Sequence, residues 1–406
     1  MRMVRRYGSL LVPVVLATAA FCYASPEAAV EQAAETAASA PAAPEAAPHA
    51  STWHVREVEG VEYLPLEDLR SFYKLMPMQP KGRKVAGQRT LGNGEVTLVF
   101  GPEPRELRVQ ERLCMLSHPV MEDSSGDLLV SKLDVLQLIE PVLRPTYIAN
   151  RSAVRTVVID PAHGGHDTGS VTPYAREADV ALAVAAKLGA ELQKRGYEVC
   201  YTQEQNQYQS SQARVDKANA APAAVFISLH LNSGRSDMEG AQTYTLAPCD
   251  KGDKTLPGHE FSRSSTALAL ALQSSMVEKA GTVDGGCRRA HFSLLNSVRC
   301  PSVMVEMGYA THPEEGTRLS TEEYQIKLAA ALADGVDAFA RVMNPGTNLQ
   351  VQKAPVVAPP PPAPVKVAPA QPKPKTDVKK TVRPARKKAP VRRAPARKTK
   401  NRRNRK

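Results

Sequence analysis

Four residues far apart in the chain are of types that could do chemistry together: His163, Glu177, His230 and Glu306. Residues 157–169 read V-V-I-D-P-A-H-G-G-H-D-T-G, three apolar β-formers that run into Asp160, Pro161 and a histidine followed by glycines. A buried strand ending this way delivers His163 to the carboxyl edge of a sheet, where open α/β sheets place their chemistry. Gly164 and Gly165 carry no Cβ, so a ligand or ion can come close to the backbone there. Glu177 opens a helical stretch after the glycine-rich loop, His230 stands near the end of A-V-F-I-S-L-H-L-N, and Glu306 ends V-M-V-E. Two imidazoles and one carboxylate suit a catalytic zinc, which takes three protein ligands and keeps a fourth position open for water. A further carboxylate in the same crevice, Glu306, can take a proton from that water and pass it to a leaving amine. Each residue alone also fits a structural role, as a packed histidine, a glutamate favoured at a helix N-terminus or a strand-end carboxylate paired with an arginine. Their common position at the ends of predicted parallel strands is what favours a single site.

The elements that must position these residues alternate. Strands are expected at 155–160, 197–202, 224–231, 241–246 and 302–306, with helices at 177–195, 213–221, 262–280 and 321–342. In the first helix Val180, Val184, Leu188 and Leu192 form one apolar stripe. Such alternation predicts an α/β fold, a mostly parallel twisted sheet with helices on both faces, over residues 154–343. Residues 53–147 read differently, as short apolar segments around the turn Gly92-Asn93-Gly94, and predict a small α+β domain. His54 and His118 are lone histidines there, without a catalytic cluster around them.

Both ends differ from this body. Arg2, Arg5 and Arg6 precede an apolar run from Leu10 to Phe21, and Cys22-Tyr23-Ala24 supplies small residues, so residues 1–24 have the layout of a secretory signal peptide. The expected location is the periplasm or cell envelope, with membrane association if the leader is retained. Residues 25–52 are an Ala/Pro-rich linker, and residues 344–406 a Pro/Ala/Lys/Arg-rich tail expected to be disordered. The whole chain has 53 Lys+Arg against 41 Asp+Glu, but residues 351–406 hold 19 of the basic residues and a single acid, Asp377. A mildly acidic body therefore carries a polycationic tail. Polycations bind any dense polyanion by counterion release. In an exported protein the expected tail partners are anionic envelope polymers or lipid head groups rather than nucleic acid. Beyond Cys22, the cysteines Cys114, Cys200, Cys249, Cys287 and Cys300 have no framework spacing. Cys200, at the end of an apolar strand, is expected to be a buried free thiol.

The combined motif resembles a known family. It reads Asp160-x-x-His163-Gly164-Gly165-x-Asp167-x-Gly169, then Glu177, then Ser228-x-His230-x-Asn232, then Val305-Glu306-x-Gly308-Tyr309. This is similar to the zinc-dependent N-acetylmuramoyl-L-alanine amidases of the amidase_3 type, over about residues 155–342. The resemblance implies one Zn²⁺ per catalytic domain held by His163, Glu177 and His230, with Glu306 as catalytic acid and base. It implies peptidoglycan as substrate, cut between N-acetylmuramic acid and the L-alanine of the stem peptide; it names no activator protein. Asn232, Arg288 and Arg289 fall where substrate contacts are expected. Ala178, Gln203 and Gly285 depart from the family's usual Lys, Arg and Arg, which bears on substrate orientation rather than on the ligands. Some relatives carry a helical insert over the zinc; the short loop between Tyr244 and Ser262 predicts none here. The small domain resembles the copper amine oxidase N-terminal-like stalk, on residues 60–69 and 126–136. The alternative from another class is a non-catalytic envelope-binding protein on an amidase scaffold.

Overall fold

The computed structural model describes residues 53–79, 87–149, 151–222, 224–248 and 257–344. The expected leader, linker and basic tail lie outside them, as do Cys22, Cys249 and residues 249–256 of the loop expected to hold no helical plug.

Strands β1 (Arg56–Val58) and β2 (Val61–Pro65) form a hairpin whose turn residues, Glu59 and Gly60, have φ of 51° and 78°. Two positive φ values match the twist of a two-residue hairpin loop. Helix α1 (Leu66–Phe72) follows, then a meander of β3 (Met76–Pro77), β4 (Arg89–Gly92), β5 (Thr97–Phe100), β6 (Glu106–Val109) and β7 (Arg112–Met115). Strands β8 (Met121–Glu122) and β9 (Leu128–Ser131) join the first hairpin in a sheet of order β1-β2-β9-β8. The helical run α2, residues 132–143, closes this lobe. A strand-then-helix unit stands at each end of this lobe, β2 into α1 and β9 into α2. Period-two alternation in β5 and β6 buries Leu98, Phe100, Leu107 and Val109 against Leu69, Val135 and Ile139.

The second lobe contains β10 (Thr156–Pro161), α3 (Glu177–Lys194), β11 (Glu198–Tyr201), α4 (Ser211–Ala220), β12 (Ala224–Asn232) and β13 (Ala241–Leu246). It continues with α5 (Ser262–Ser275), β14 (Asp284–Ala290), α6 (Ser293–Ser297), β15 (Ser302–Tyr309), α7 (Pro313–Leu319) and α8 (Glu322–Met343). The strand order is β11-β10-β12-β15-β13-β14, and four of these five pairings are parallel, only β13 with β15 being antiparallel. Both faces are covered, as expected of a sheet with buried apolar strands. Val157, Ile159, Val225, Ile227, Val303 and Val305 pack on α3, α5 and α8 through residues such as Leu188, Leu272 and Phe339. On the other face Val158, Phe226 and Met304 meet Val215 of α4 and Leu295 of α6.

Two features were not expected and one expectation needs correction. Residues 284–290, for which no strand or helix was expected, form strand β14. The small region does not merely precede the large one: β14 pairs in parallel with β7 through Cys287 and Cys114, joining the two lobes in one 11-stranded sheet. Cys200 is exposed, because β11 is the edge strand and only its Val199 and Tyr201 side packs on the core. Cys114, Cys287 and Cys300 are the buried thiols among the described residues.

Side chains reinforce the junction. Arg289 Nη1 donates to Asp134 Oδ1 at 2.8 Å and to Ser117 Oγ at 2.6 Å. Asp134 is fully buried and also accepts from the N–H groups of Ser117 and His118 and from Ser131 Oγ. Asp284 Oδ2 accepts from Leu113 N at 2.9 Å, a second tie between the lobes.

Candidate metal centre

The apolar run of β10 ends at Pro161, and the next turn lifts His163 out of the sheet with a φ of 60°, a conformation that costs a non-glycine residue energy. The surroundings hold it there. Buried Asp160 accepts from Ser228 Oγ at 2.7 Å, Thr202 Oγ1 at 2.5 Å and Arg214 Nη1 at 2.6 Å. Arg214 then reaches forward, Nη2 donating to the His163 carbonyl at 2.6 Å, while Gln203 Nε2 donates to the carbonyls of Pro161 and His163. Gln203, which stands where the family usually has arginine, is thus a clamp on the histidine loop, with Arg214 supplying the guanidinium.

Three of the four residues converge. His163 Nε2 lies 3.0 Å from Glu177 Oε1, and His230 Nδ1 lies 3.0 Å from the same oxygen. One ligand atom from each of His163, Glu177 and His230 falls within 4.8 Å of the others. Glu177, at the start of α3, also accepts from Ser170 N at 2.9 Å and from Leu231 N at 3.2 Å, which fixes its carboxylate. Burial by itself would raise the Glu177 pKa, but hydrogen bonds from His163, His230 and Ser170 outweigh it and hold the group below the usual carboxylate range. The hydrogen bond to Glu177 works the other way on His163, pushing its pKa up to about 9 against the cost of its own burial, with Asp167 adding to the rise. Asp167 Oδ2 lies 2.9 Å from His163 Nδ1, so it orients the ring and leaves Nε2 for a metal, as outer carboxylates on ligand histidines do.

Glu306 stands beside this cluster without joining it. It is the strand partner of His230 on β12 and of Gln242 on β13. Its Oε2 is buried with no hydrogen-bond partner. Desolvation raises its pKa to about 7, the Glu177 charge adding to the rise and both histidines opposing it. An imidazole–imidazole–carboxylate donor set with an unpartnered buried carboxyl at its edge fits a tetrahedral zinc with one open position.

The remaining predicted contacts divide by parity. Side chains alternate across a strand, so Arg288 and Arg289 face opposite ways. Arg288 pairs with Tyr244 on the same face as Glu306 and Gln242; Arg289 pairs with Thr245 on the other. Arg289 Nη1 is committed to Asp134 and Ser117. Asn232 Nδ2 donates to Gln242 Oε1 at 3.1 Å, which ties it to the residue facing Glu306. His166 lies against Tyr208 with ring centroids 4.3 Å apart. Gln242 and Tyr244 escaped notice because nothing in A-Q-T-Y-T-L marks its polar face as facing a site.

Gly169 supplies a test of the geometry. Its φ is 60°, and a Cβ there would lie 2.4 Å from His163 Cδ2 and 2.6 Å from Glu177 Oε2. Gly169→Ala is expected to weaken zinc binding by about 10–100-fold, the range seen when supporting groups around a metal are disturbed. Competition titration with a chromogenic chelator measures this, and unchanged affinity would mean the cluster is not the site.

Residues 157–338 match the model of the Amidase_3 family, N-acetylmuramoyl-L-alanine amidase. The uncharacterized protein YqiI of Bacillus subtilis is 31% identical over 185 residues, covering 46% of this chain and 84% of that one. The N-acetylmuramoyl-L-alanine amidase LytC of Bacillus subtilis is 30% identical over 187 residues, 46% of this chain but only 36% of LytC. Among solved structures, the catalytic domain of CwlV from Bacillus (Paenibacillus) polymyxa is 28% identical, covering 47% of this chain and 99% of that one with a TM-score of 0.41. Through residues 157–338, which carry His163, Glu177, His230 and Glu306, the chain belongs to the N-acetylmuramoyl-L-alanine amidase family.

Proposed function

We propose that this protein is a zinc-dependent peptidoglycan hydrolase that cleaves the amide between N-acetylmuramic acid and the L-alanine of the stem peptide. The observation that carries this reading is the triad His163, Glu177 and His230 with the buried, unpartnered Glu306 carboxyl at its edge. His163 Nε2, His230 Nδ1 and the Glu177 carboxylate would hold the ion. Bound zinc supplies Lewis acidity, which polarises a carbonyl and makes water a better nucleophile at neutral pH. Glu306, with a pKa near 7, can accept one proton from the attacking water and return it to the departing amine nitrogen, so the residue ends as it began. Asp167 keeps His163 in the tautomer that presents Nε2. The envelope location of this substrate agrees with the export expected from the N-terminal leader, and the basic tail would then meet anionic envelope polymers or lipid head groups.

The test is digestion of purified sacculi by the zinc-loaded protein, followed by mass spectrometry of the products. Peptides with a free L-alanine amino terminus, and their disappearance on chelation, are the expected result. Binding to sacculi without release would favour the non-catalytic reading, and new glycan or peptide–peptide ends would name a different hydrolase.

A further inference from the structure

A second cavity, about 340 Å³, opens where the small lobe meets the catalytic sheet. Arg105 and His118 line it from the small lobe; Tyr244, Arg288, Arg289 and His291 line it from the large one. No Asp or Glu is among its described lining residues. Arg289 is neutralised from behind by Asp134. Arg288 is tethered by Nε to the Gly285 carbonyl at 3.0 Å, and neither it nor Arg105 has an ion-pair partner among the described residues. Two uncompensated guanidiniums at one cleft, contributed by different lobes, suit a carboxylate, which arginine binds in bidentate fashion.

The cleft and the catalytic carboxyl share one face of β13. Gln242 is the strand partner of Glu306; Tyr244, one same-face step further along, lines the cleft and donates from Oη to Gln242 Oε1 at 2.7 Å. One such step is about 7 Å, the length of two residues of extended peptide. A substrate whose scissile amide lies at Glu306 therefore places a group two residues away at the arginines. The two arms of the proposed substrate differ in charge: the glycan strand's N-acetyl sugars are neutral, whereas the stem peptide carries free carboxylates. A cationic cleft at that distance fits the peptide arm. Its far wall is fixed, because the β14–β7 pairing and the Arg289–Asp134 bond hold the small lobe in place.

We propose that this cleft is a carboxylate-binding subsite for the stem peptide, formed jointly by Arg288 of the catalytic sheet and Arg105 of the small lobe. The proposal rests on the amidase reading for the identity of its ligand. It makes the small lobe part of the substrate groove, with Arg105 a specificity-determining residue that does not touch the reacting atoms.

The test uses two soluble muramoyl-peptide substrates that differ only in the stem carboxylates, free in one and amidated in the other. Arg105 is exposed, so Arg105→Ala leaves the fold intact. In the full chain this variant is expected to raise KM about tenfold for the free-acid substrate, with kcat unchanged, and to leave the amidated substrate unaffected. Arg288→Ala, at an expected substrate contact, should raise KM more for the free-acid substrate than for the amidated one. The basic tail is present in every protein compared, so its own attraction for anions cancels. Equal effects on both substrates, or none on either, would overturn the subsite. Calorimetric titration of the free-acid and amidated peptides into the Glu306→Gln protein, with and without Arg105→Ala, separates the two claims. If the wild-type protein cleaves neither substrate the amidase reading fails. Tenfold weaker binding of the free acid alone would then still establish the subsite, and unselective binding would refute it.

Discussion

Replacing Glu306 by glutamine is expected to slow release of stem peptides from sacculi by about 10²–10⁴-fold, the usual worth of a positioned acid–base group. Zinc content should not change, since Glu306 lies outside the converging triad. Glutamine keeps the shape of the side chain but cannot accept the proton that the proposed mechanism assigns to it. The same substitution has a signature in stability. Burial raises the folded-state pKa of Glu306 to about 7, above its ordinary value of 4.5, so the folded metal-free protein holds this proton more tightly than the unfolded chain does. Stability contributed by the group is therefore greatest at low pH and declines as pH rises from about 4.5 through about 7. Metal-free Glu306→Gln should melt higher than wild type at pH 8, with the gap closing by pH 4. Full activity in the variant would remove Glu306 from the mechanism. A variant that loses zinc would make Glu306 a ligand instead.

The second large effect lies far from the chemistry. Asp134→Ala should destabilise the protein by about 3–5 kcal/mol, because it leaves the Arg289 guanidinium, nearly buried at 8% exposure, without its counter-charge. For a body of this size that is a fall in Tm on the order of 10 °C. The loss also strands the Ser117 and His118 N–H groups, which adds to the cost. Thermal melts of Asp134→Ala, and of Asp134→Leu combined with Arg289→Met, measure the effect. The double variant should regain the part of the loss due to the unpaired charge, since replacing both charges with apolar groups of similar volume is often neutral, while the Ser117 and His118 N–H groups stay unpaired. A single variant within 1 kcal/mol of wild type would mean that the Arg289–Asp134 bond adds little to the joining of the lobes.

Much of the candidate metal centre was legible because its strands are apolar runs broken by a polar residue at or near the carboxyl end. V-V-I-D, F-I-S-L-H and V-M-V-E each announce a buried strand with such a residue, and parallel packing brings these residues together. Asp284-Gly285-Gly286-Cys287-Arg288-Arg289-Ala290 announces nothing of the kind. Its aspartate and glycines have low strand preference, and it is a strand because β13 and β7 offer it two ladders. Once it is known to be a strand, the opposite fates of Arg288 and Arg289 follow from period two. Missing the strand meant missing the split. Cys200 failed for a related reason: four residues, E-V-C-Y, do not say whether their strand is central or at the edge. His166 met Tyr208 across a stretch that includes α3 and β11, a contact that no local pattern encodes.

The continuous sheet also bears on where this chain can be cut. Residues 157–338 are the unit that relatives share, yet they are not a unit with a finished border. Severed before residue 154, the catalytic segment would present β14 as a raw edge, its ladder groups facing water, with the Cys287 thiol uncovered and the Arg289 charge orphaned. Such edges template pairing with other chains. The small lobe thus acts as a selvedge, the woven border that keeps one molecule from knitting into the next.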